Sequence, residues 1–257
     1  MSKKTVLITG AIGGIGLAAA TLFARSKNIE NLFLIDTISR VSDLVSMSNK
    51  LTLLRKRRVN GFVCDITRQS DINGLFDKPI PELTNIDILI NVAGIAPANM
   101  TPLVKTDISA VRKIMDVNFW GTLNMCKAVL PLMQANGYGR IVNVSSISAL
   151  MADPGNLVYS ASKAAVIQLT RALAKEAPFN KNGPPHDITV NAVAPGIVDT
   201  PMAKQLSEKM IENFKAAAPL GRLITPEEVA EVIYWLAAEA PQSVTGTVVR
   251  VDGGFLA

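Results

Sequence analysis

The residues best suited to proton transfer are a tyrosine and a lysine on one predicted helix. Tyr159 and Lys163 are four positions apart, and residues at i and i+4 share one face of a helix. A free tyrosine titrates at about pH 10, but a nearby cation favours its phenolate form. Lowering its pKa by about 3 units requires about 4 kcal/mol of differential stabilisation. The pair predicts an acid–base site, although Tyr-x-x-x-Lys also occurs often by chance.

Ser146 supplies a hydroxyl thirteen positions before the tyrosine. It follows a strand predicted at residues 140–144, and ligands of open α/β sheets bind beyond the carboxyl ends of the strands. A hydroxyl at this place can donate a hydrogen bond to a substrate carbonyl. Because Ser145 is adjacent, position alone leaves either serine open for this role.

A glycine-rich turn follows the first predicted strand and leads into the first predicted helix. Its sequence is Thr9-Gly10-Ala11-Ile12-Gly13-Gly14-Ile15-Gly16. Glycines allow a tight turn and a close approach of the backbone to a ligand, and the amino end of a helix presents free N–H groups. Since the turn lies between a strand and a helix, the sequence predicts a pyrophosphate site here.

Asp36 ends the second predicted strand, twenty residues after Gly16. A carboxylate at this distance accepts hydrogen bonds from the adenosine ribose of a dinucleotide, and its charge would repel a 2′-phosphate. The next residue is Thr37 rather than an arginine, and we interpret Arg40 as a helix-face residue. The pattern favours NAD(H) over NADP(H) as the cofactor. The alternative is that Asp36 only caps its strand.

Short β-branched runs alternate with helix-period segments along the whole chain. Strands are predicted at Thr5–Thr9, Leu32–Ile35, Gly61–Cys64, Ile86–Val92, Arg140–Val144, Ile188–Val193 and Thr247–Val251. Helices are predicted near residues 14–26, 41–56, 69–77, 106–135, 158–177 and 226–239. The alternation predicts the α/β class, with a Rossmann-like doubly wound parallel sheet of about seven strands. Residues 1–257 are expected to form a single dinucleotide-binding catalytic domain, since no repeat or linker interrupts them.

Two segments fall outside this alternation. Residues 201–217 are amphipathic, and we interpret them as a substrate lid, with Met202, Leu206, Met210 and Phe214 on one side. Residues 178–187 are polar and proline-rich, which predicts an exposed loop.

The composition limits the class of protein. Apolar residues make up 49% of the chain and the mean hydropathy is +0.29, which suits a parallel sheet covered on both faces. The net charge of +5 is a mild excess. We interpret the one dense basic run, at residues 55–58, as a solvated helix end. No nucleic-acid partner is therefore expected.

Metal and membrane functions are also disfavoured. Cys64, Cys126 and His186 match no metal-binding spacing, so no metal site is predicted. The apolar stretch after Lys3 and Lys4 resembles a signal peptide, but its glycines fit a phosphate-binding turn better. No apolar run of about 18 residues is free of turn residues or charges. We expect a cytoplasmic protein that has no membrane partner.

Taken together, these motifs resemble the short-chain dehydrogenase/reductase family, in order and over essentially the whole chain. The matching elements are TGAIGGIG at 9–16, Cys64-Asp65-Ile66, Asn91-Val92-Ala93-Gly94, Asn118 in VNFWG, Ser146, Tyr159 with Lys163, NAVAPGIVDT at 191–200 and Val251-Asp252-Gly253-Gly254. Val92 departs from the family pattern, which has a second asparagine there, and this change is expected to spare catalysis. The connection at 178–187 is several residues longer than the family usually has.

The resemblance implies roles for the catalytic residues. Tyr159 would be the acid–base group, and Lys163 would hold the nicotinamide ribose and lower the pKa of Tyr159. Ser146, selected over Ser145 by the family's usual spacing, would polarise the carbonyl. Asn118 would help to hold a water-mediated proton relay. The implied cofactor contacts are Gly10, Ile12, Gly14, Ile15, Gly16, Asp36, Asp65, Ile66, Asn91, Ala93, Gly94, Tyr159, Lys163, Pro195, Gly196, Ile197 and Thr200.

Substrate contacts are expected from residues that flank the catalytic set. The candidates are Ser148, Met151, Met202 and Leu206, with Ile95, Ala96, Leu150 and Met210 as further possibilities. The set is mostly apolar and offers no anchor for a carboxylate, which favours a hydrophobic secondary alcohol or ketone. By resemblance, the segments 106–135 and 158–177 pair subunits. A homo-oligomer is expected, either a dimer or a tetramer, with the tetramer favoured.

Three functions remain open at this point. The first is an NAD(H)-dependent oxidoreductase of a secondary alcohol or ketone. The second is a reductase of 3-oxoacyl thioesters of the acyl-carrier-protein type, which in this family usually uses NADPH. The third is a cofactor-sensing or nucleic-acid-binding protein without turnover, and the basic run at 55–58 is its only support.

Overall fold

The computed structural model describes residues 3–55, 58–97 and 99–257. The strands are β1 (Lys4–Thr9), β2 (Ile29–Asp36), β3 (Val59–Val63), β4 (Ile88–Asn91), β5 (Tyr138–Val144), β6 (Asp187–Pro195) and β7 (Val248–Val251). The α-helices are α1 (Gly14–Arg25), α2 (Val41–Arg55), α3 (Gln69–Phe76), α4 (Ile108–Met115), α5 (Thr122–Asn136), α6 (Leu157–Glu176), α7 (Glu208–Ala217) and α8 (Pro226–Tyr234). The predicted basic run at 55–58 lies largely outside the described residues.

All seven strands pair in parallel, in the order β3-β2-β1-β4-β5-β6-β7. Successive side chains of a strand point to opposite faces. In β1, Val6 and Ile8 therefore pack in a core with α1 and α8, whereas Leu7 packs in a second core with α5. Helices cover both faces, so the predicted doubly wound sheet is confirmed.

The strand order reverses at β1, which pairs with β2 on one side and with β4 on the other. At such a reversal the crossover connections leave the sheet in opposite directions and open a crevice beyond the carboxyl ends of the strands. Thr9 pairs with Asn91, and Asn91 pairs with Asn143, so three strands end side by side. The crevice therefore collects the segments that follow β1, β4 and β5.

The segment predicted as one long helix at 106–135 is interrupted. A π-helical turn, Asp116–Gly121, separates α4 from α5. The wider turn places Asn118 inside the protein, where it is fully buried. The segment 226–239 likewise ends in a π-helical turn, Trp235–Glu239. Hydrophobic periodicity marks where a helix lies but does not reveal a single inserted residue.

The two segments that fall outside the alternation of strands and helices also have defined structures. The segment 201–217 contains a short 3₁₀ turn, Ala203–Gln205, followed by α7, whose first turn is capped by Ser207. The loop 178–187 exposes Phe179 and is closed by a hydrogen bond from the His186 amide to the Pro178 carbonyl. None of the described helices is long and apolar enough to cross a membrane. Within the described ranges, no cluster of His, Cys, Asp and Glu could hold a metal ion.

Candidate active site

A cavity of about 620 Å³ lies beyond the carboxyl ends of β4, β5 and β6. Tyr159 and Lys163 enter it from the first turns of α6, and Ser146 enters it from the residues that follow β5. The structure thus brings together three of the four residues predicted to be catalytic. The fourth, Asn118, lies behind this wall.

Tyr159 faces the cavity beside Ser146. Burial raises the pKa of the phenol above its ordinary value, and the negative charge of Asp153 raises it further, whereas a hydrogen bond with the Ser146 hydroxyl lowers it. Burial is the largest of the three effects, so the protein's own groups keep Tyr159 protonated at neutral pH. Lys163 is not among the groups that shift this pKa, so its expected effect on the phenol stays a prediction.

Lys163 is buried, with 4% of its surface exposed. Its Nζ donates a hydrogen bond to the carbonyl of Val144 at 2.9 Å and lies 5.9 Å from the ring centre of Tyr159. Burial lowers the pKa of Lys163 to about 8, because no carboxylate offsets the loss of water around the ammonium. The lysine is therefore still mostly charged at neutral pH and is fixed against the sheet.

The two adjacent serines have different partners. Ser145 Oγ donates to the main-chain carbonyl of Lys163 at 2.8 Å. Ser146 Oγ accepts from the amide of Ser148 at 3.1 Å and faces the cavity, where its hydroxyl also bonds with Tyr159. Of the two, Ser146 is the serine able to polarise a carbonyl in the cavity.

The side chain of Asn118 is fully engaged. Its Oδ1 accepts from the amide of Ile95 at 2.8 Å, and its Nδ2 donates to the Ile95 carbonyl and to Ser162 Oγ, each at 3.0 Å. A Cβ added to Gly94 would lie 3.2 Å from both Asn118 Oδ1 and Lys163 Nζ. Asn118 therefore holds the 94–95 turn against the lysine, and any relay contact would involve its main-chain carbonyl.

The glycine turn is packed too closely for side chains. Gly10 has φ of +62°, and a Cβ there would lie 2.6 Å from the Cα of Ala93. A Cβ at Gly14 would overlap Thr200, and one at Gly16 would overlap the carbonyl of Gly10. No side chain caps the amino end of α1. The turn fits a pyrophosphate, because its backbone is bare and the first amides of α1 are available.

Asp36 lies at the end of β2, as predicted, and faces the glycine turn. Its Oδ2 accepts from the amide of Ile12 at 3.0 Å, and its Oδ1 accepts from the amide of Thr37 at 2.9 Å. Arg40 also reaches this place, donating from Nη2 to the carbonyl of Ile12 at 3.2 Å and from Nε to Asp43 at 2.8 Å. Arg40 therefore contacts the glycine turn as well as Asp43 on the helix face.

Some predicted cofactor residues face the cavity and others do not. Ile15, Gly94, Pro195, Gly196, Ile197 and Thr200 line it. Asp65 and Ile66 follow β3, where Asp65 Oδ1 accepts from Thr67. Ala93 donates its amide to Thr9 Oγ1. Asn91 does not present its side chain to a ligand, because that side chain is buried and donates to Asn143 Oδ1 at 2.9 Å.

Most of the predicted substrate residues line the cavity. These are Ser148, Met151, Met202, Leu206, Ala96 and Met210, whereas Leu150 and Ile95 do not. The apolar side of the segment 201–217 is turned inward, as its periodicity predicts, and Phe214 stacks on Phe255 with ring centres 4.9 Å apart. Sequence reasoning missed Met100, Asp153, Asn156, Asn213 and Phe255, which lie in loops and helices that carry no motif.

Comparisons with known proteins agree with this architecture. The chain matches the family model described as enoyl-(acyl carrier protein) reductase over residues 10–256. It is 36% identical to the 3-oxoacyl-[acyl-carrier-protein] reductase FabG of Thermotoga maritima, over 100% of this chain and 99% of that protein. It is 35% identical to the cis-4-hydroxycyclohexanecarboxylate dehydrogenase of Sinomonas cyclohexanicum, over 100% and 98%. The chain belongs to the short-chain dehydrogenase/reductase family and is an NAD(P)-dependent oxidoreductase.

Solved structures of similar fold hold either nicotinamide cofactor. A 3-oxoacyl-[acyl-carrier protein] reductase from Brucella melitensis with bound NAD is 30% identical, with a TM-score of 0.85 over 98% of this chain and 91% of that chain. ElxO with NADP bound is 29% identical, with a TM-score of 0.85 over 99% of both chains. The likeness establishes the fold and leaves the choice of cofactor open.

Proposed function

We propose that this protein transfers a hydride between NAD(H) and a largely apolar secondary alcohol or ketone. The observation that carries the proposal is the placement of Ser146, Tyr159 and Lys163 on one wall of a cavity whose other walls are mostly apolar. When bound, the nicotinamide supplies the hydride. The protein supplies binding, orientation and the proton.

Each side chain then has a definite task. Ser146, which lies beside Tyr159 in the cavity wall, donates to the substrate oxygen and orients the carbonyl toward Tyr159. Tyr159, protonated at neutral pH because it is buried, gives its proton to that oxygen during ketone reduction and takes it back during alcohol oxidation. Lys163, fixed by the Val144 carbonyl, would hold the nicotinamide ribose. Asn118 fixes the 94–95 turn beside the lysine.

The direct test is NADH oxidation over a panel of ketones, with Tyr159→Phe as the matched variant. Removing the phenolic hydroxyl should lower kcat by about 10²- to 10⁴-fold while NADH still binds, because only proton transfer is lost. Undiminished turnover in Tyr159→Phe would contradict the mechanism. NADH binding without turnover of any ketone or alcohol would instead support the third function, a protein that senses the cofactor.

The preference for NAD(H) rests on Asp36, whose carboxylate lies at the end of β2 beside the glycine turn. Asp36→Ala should reduce the ratio of kcat/KM for NADH to that for NADPH by about tenfold or more, because the charge that repels a 2′-phosphate is removed. Arg40→Ala is the matched variant at the same end of the site. If NADPH is the better substrate of the unmodified protein and Arg40→Ala abolishes that advantage, the NAD(H) proposal is wrong.

The second candidate is a 3-oxoacyl-thioester reductase that uses NADPH. It is favoured by the name of the Thermotoga relative and by Arg40, a cation near the adenosine end. The two candidates share the ketone chemistry and differ in the substrate tail and the cofactor. Kinetics with a 3-oxoacyl thioester and a simple ketone of equal chain length, each with NADH and NADPH, distinguish them.

We also propose that the segment 201–217 is a lid and that the protein is a homo-oligomer. The lid proposal rests on Met202, Leu206, Met210 and Phe214 facing the cavity, and equal proteolysis with and without NADH would contradict it.

The oligomer proposal rests on apolar residues exposed along α4 and α6 and the turn between α4 and α5, namely Ile108, Trp120 and Leu157. A monomeric mass by light scattering would refute it. The expected cytoplasmic location stays a prediction.

A further inference from the structure

Asp153 places a carboxylate in the wall of a mostly apolar cavity. It lies in the turn before α6 and faces the cavity together with Met151, Leu206 and Met210. Among the described residues that line this cavity, only Asp153 and Lys163 carry a charge at neutral pH. Partial burial of a charge costs free energy unless polar groups surround it. The hydrogen-bond partners of the Asp153 carboxylate therefore indicate its role.

Only one of the two oxygens of the Asp153 carboxylate accepts hydrogen bonds from the described part of the protein. Ser148 Oγ and Asn156 Nδ2 both donate to Asp153 Oδ2, each at 2.8 Å. In the part of the chain that the structure describes, Oδ1 accepts no hydrogen bond and no lysine or arginine pairs with Asp153. The carboxylate is held in a fixed orientation with one acceptor left for another group.

Ser148 connects this carboxylate to the catalytic set. Its amide donates to Ser146 Oγ at 3.1 Å while its side chain holds Asp153. The negative charge of Asp153 is also close enough to Tyr159 to raise the pKa of the phenol. Asp153 therefore lies beside the place where a carbonyl would bind between Ser146 and Tyr159.

We propose that Asp153 determines substrate specificity by accepting, at Oδ1, a hydrogen bond from a second polar group of the substrate. The inference rests on the proposed function. The substrate class is a secondary alcohol or ketone with an apolar body and with a hydroxyl or an ammonium group. That donor lies on the carbon next to the reacting one, or on the carbon after it. The apolar body packs against Met151, Leu206 and Met210.

The selectivity follows from desolvation. A substrate without a hydrogen-bond donor displaces water from the Asp153 carboxylate and offers no hydrogen bond in its place. A site of this kind therefore discriminates against such a substrate. Hydrogen bonds to charged groups predict a preference of about tenfold to a hundredfold in kcat/KM. A substrate carboxylate would be repelled. We therefore expect this protein to disfavour a carboxylate substrate of the kind in the name of the Sinomonas relative.

The substitution Asp153→Asn tests the proposal with little change of shape. Because Ser148 and Asn156 both donate to the Oδ2 position, the amide oxygen should take that place. The free position then holds an NH₂ group, which donates where the carboxylate accepted. The variant therefore reverses the recognition and preserves the local hydrogen bonds.

The experiment measures kcat/KM with NADH for pairs of ketones that differ by one hydroxyl, such as cyclohexanone with 2-hydroxycyclohexanone and 2-octanone with its 3-hydroxy and 4-hydroxy derivatives. We expect the unmodified protein to prefer a hydroxylated member by about tenfold to a hundredfold, and Asp153→Asn to reduce this preference below about threefold. The same variant should improve 4-oxocyclohexanecarboxylate relative to cyclohexanone by about fivefold or more. Oxidation of 2-aminocyclohexanol compared with cyclohexanol shows whether an ammonium serves as the donor.

Asn156→Ala is the matched control, because it removes one bond to Oδ2 and leaves the charge, so the preference should persist. If Asp153→Asn lowers kcat/KM equally for both members of each pair, Asp153 only supports the loop and the inference is overturned, while the proposed function stands. If no ketone of any pair is reduced although NADH binds, the proposed function itself fails, and this inference fails with it.

Discussion

The glycine turn at residues 9–16 and the lid segment at residues 201–217 border the same cavity but are packed in different ways. In the turn, backbone atoms occupy the space that a side chain would need, and a Cβ at Gly10 would lie 2.6 Å from the Cα of Ala93. In the lid segment only Ala203 and Phe214 are buried, and Met202 is 41% exposed. We therefore expect the turn to recognise its ligand through main-chain geometry that few substitutions preserve. We expect the proposed lid segment to do so through side chains that can be exchanged singly.

The largest effect is expected from Gly10→Ala. The left-handed φ of +62° and the contact with Ala93 should together cost roughly 3 kcal/mol, which corresponds to about a hundredfold weaker NADH binding or an equal loss in the free energy of unfolding. NADH fluorescence titration and thermal unfolding measure the two. Gly74→Ala is the control, since a Cβ at this helical glycine has nothing within 4 Å; it should leave NADH binding unchanged and raise the free energy of unfolding by about 1 kcal/mol. If Gly10→Ala reduced NADH binding and stability no more than Gly74→Ala does, the glycine turn would not be more constrained than the lid segment.

A smaller and more local effect is expected from Phe214→Ala. Phe214 anchors α7 by stacking on Phe255 and by packing on Gly196, where a Cβ would lie 2.8 Å from its ring. Losing this anchor should speed proteolysis within 201–217 and lower kcat/KM for a ketone by about tenfold, with little change in NADH affinity. Phe179→Ala, which alters a side chain that is 70% exposed, is the control and should change neither. A loss of NADH affinity as large as the loss of kcat/KM would show that the glycine turn and the lid segment do not act independently.

The pH dependence of NADH binding tests the proposed role of Lys163 in holding the nicotinamide ribose. Burial lowers the pKa of Lys163 to about 8, so the ammonium is present below that pH and is lost above it. NADH affinity should therefore fall about fivefold between roughly pH 7 and pH 9.5, the difference between a charged and a neutral donor. Lys163→Arg keeps its charge throughout this range, so any affinity that remains should not depend on pH. A flat profile in the unmodified protein would argue against the ribose-binding role.

The smallest effect is expected from Met202→Ala. Met202 lines the cavity but is half-exposed, and methionine fills space adaptably. KM for a bulky ketone should rise by less than about threefold, and NADH affinity should not change. Steady-state kinetics and the NADH titration measure both. A tenfold loss would mean that the lid segment is as constrained as the glycine turn.

Local signals accounted for much of the fold and for part of the candidate site. All seven strands were predicted, because each contains β-branched or aromatic residues in a short run, and the five strands between the edges are mostly buried. The glycine turn was recognisable because its conformation requires glycine at particular positions. Tyr159 and Lys163 were recognisable because residues four positions apart share a helix face, whereas only the family's usual spacing selected Ser146 over Ser145.

Other features had no local signal. The π-helical turn at Asp116–Gly121 follows from one extra residue in a helix, which does not alter the hydrophobic pattern. Arg40 reaches the glycine turn only because β1 and β2 are neighbours, and the side chain of Asn91 points into the core because its strand is central. Asp153 faces the cavity because the turn before α6 folds back over Ser148.

The sequence by itself determined the sheet and predicted the cofactor turn and the proton-transfer pair, because each depends on backbone conformation or on residues a few positions apart. The tertiary structure decided the direction of the pKa shifts of Tyr159 and Lys163, since both depend on burial by distant segments. It also decided that a carboxylate faces the cavity, because the other residues of the cavity wall come from loops and helices far apart in the chain.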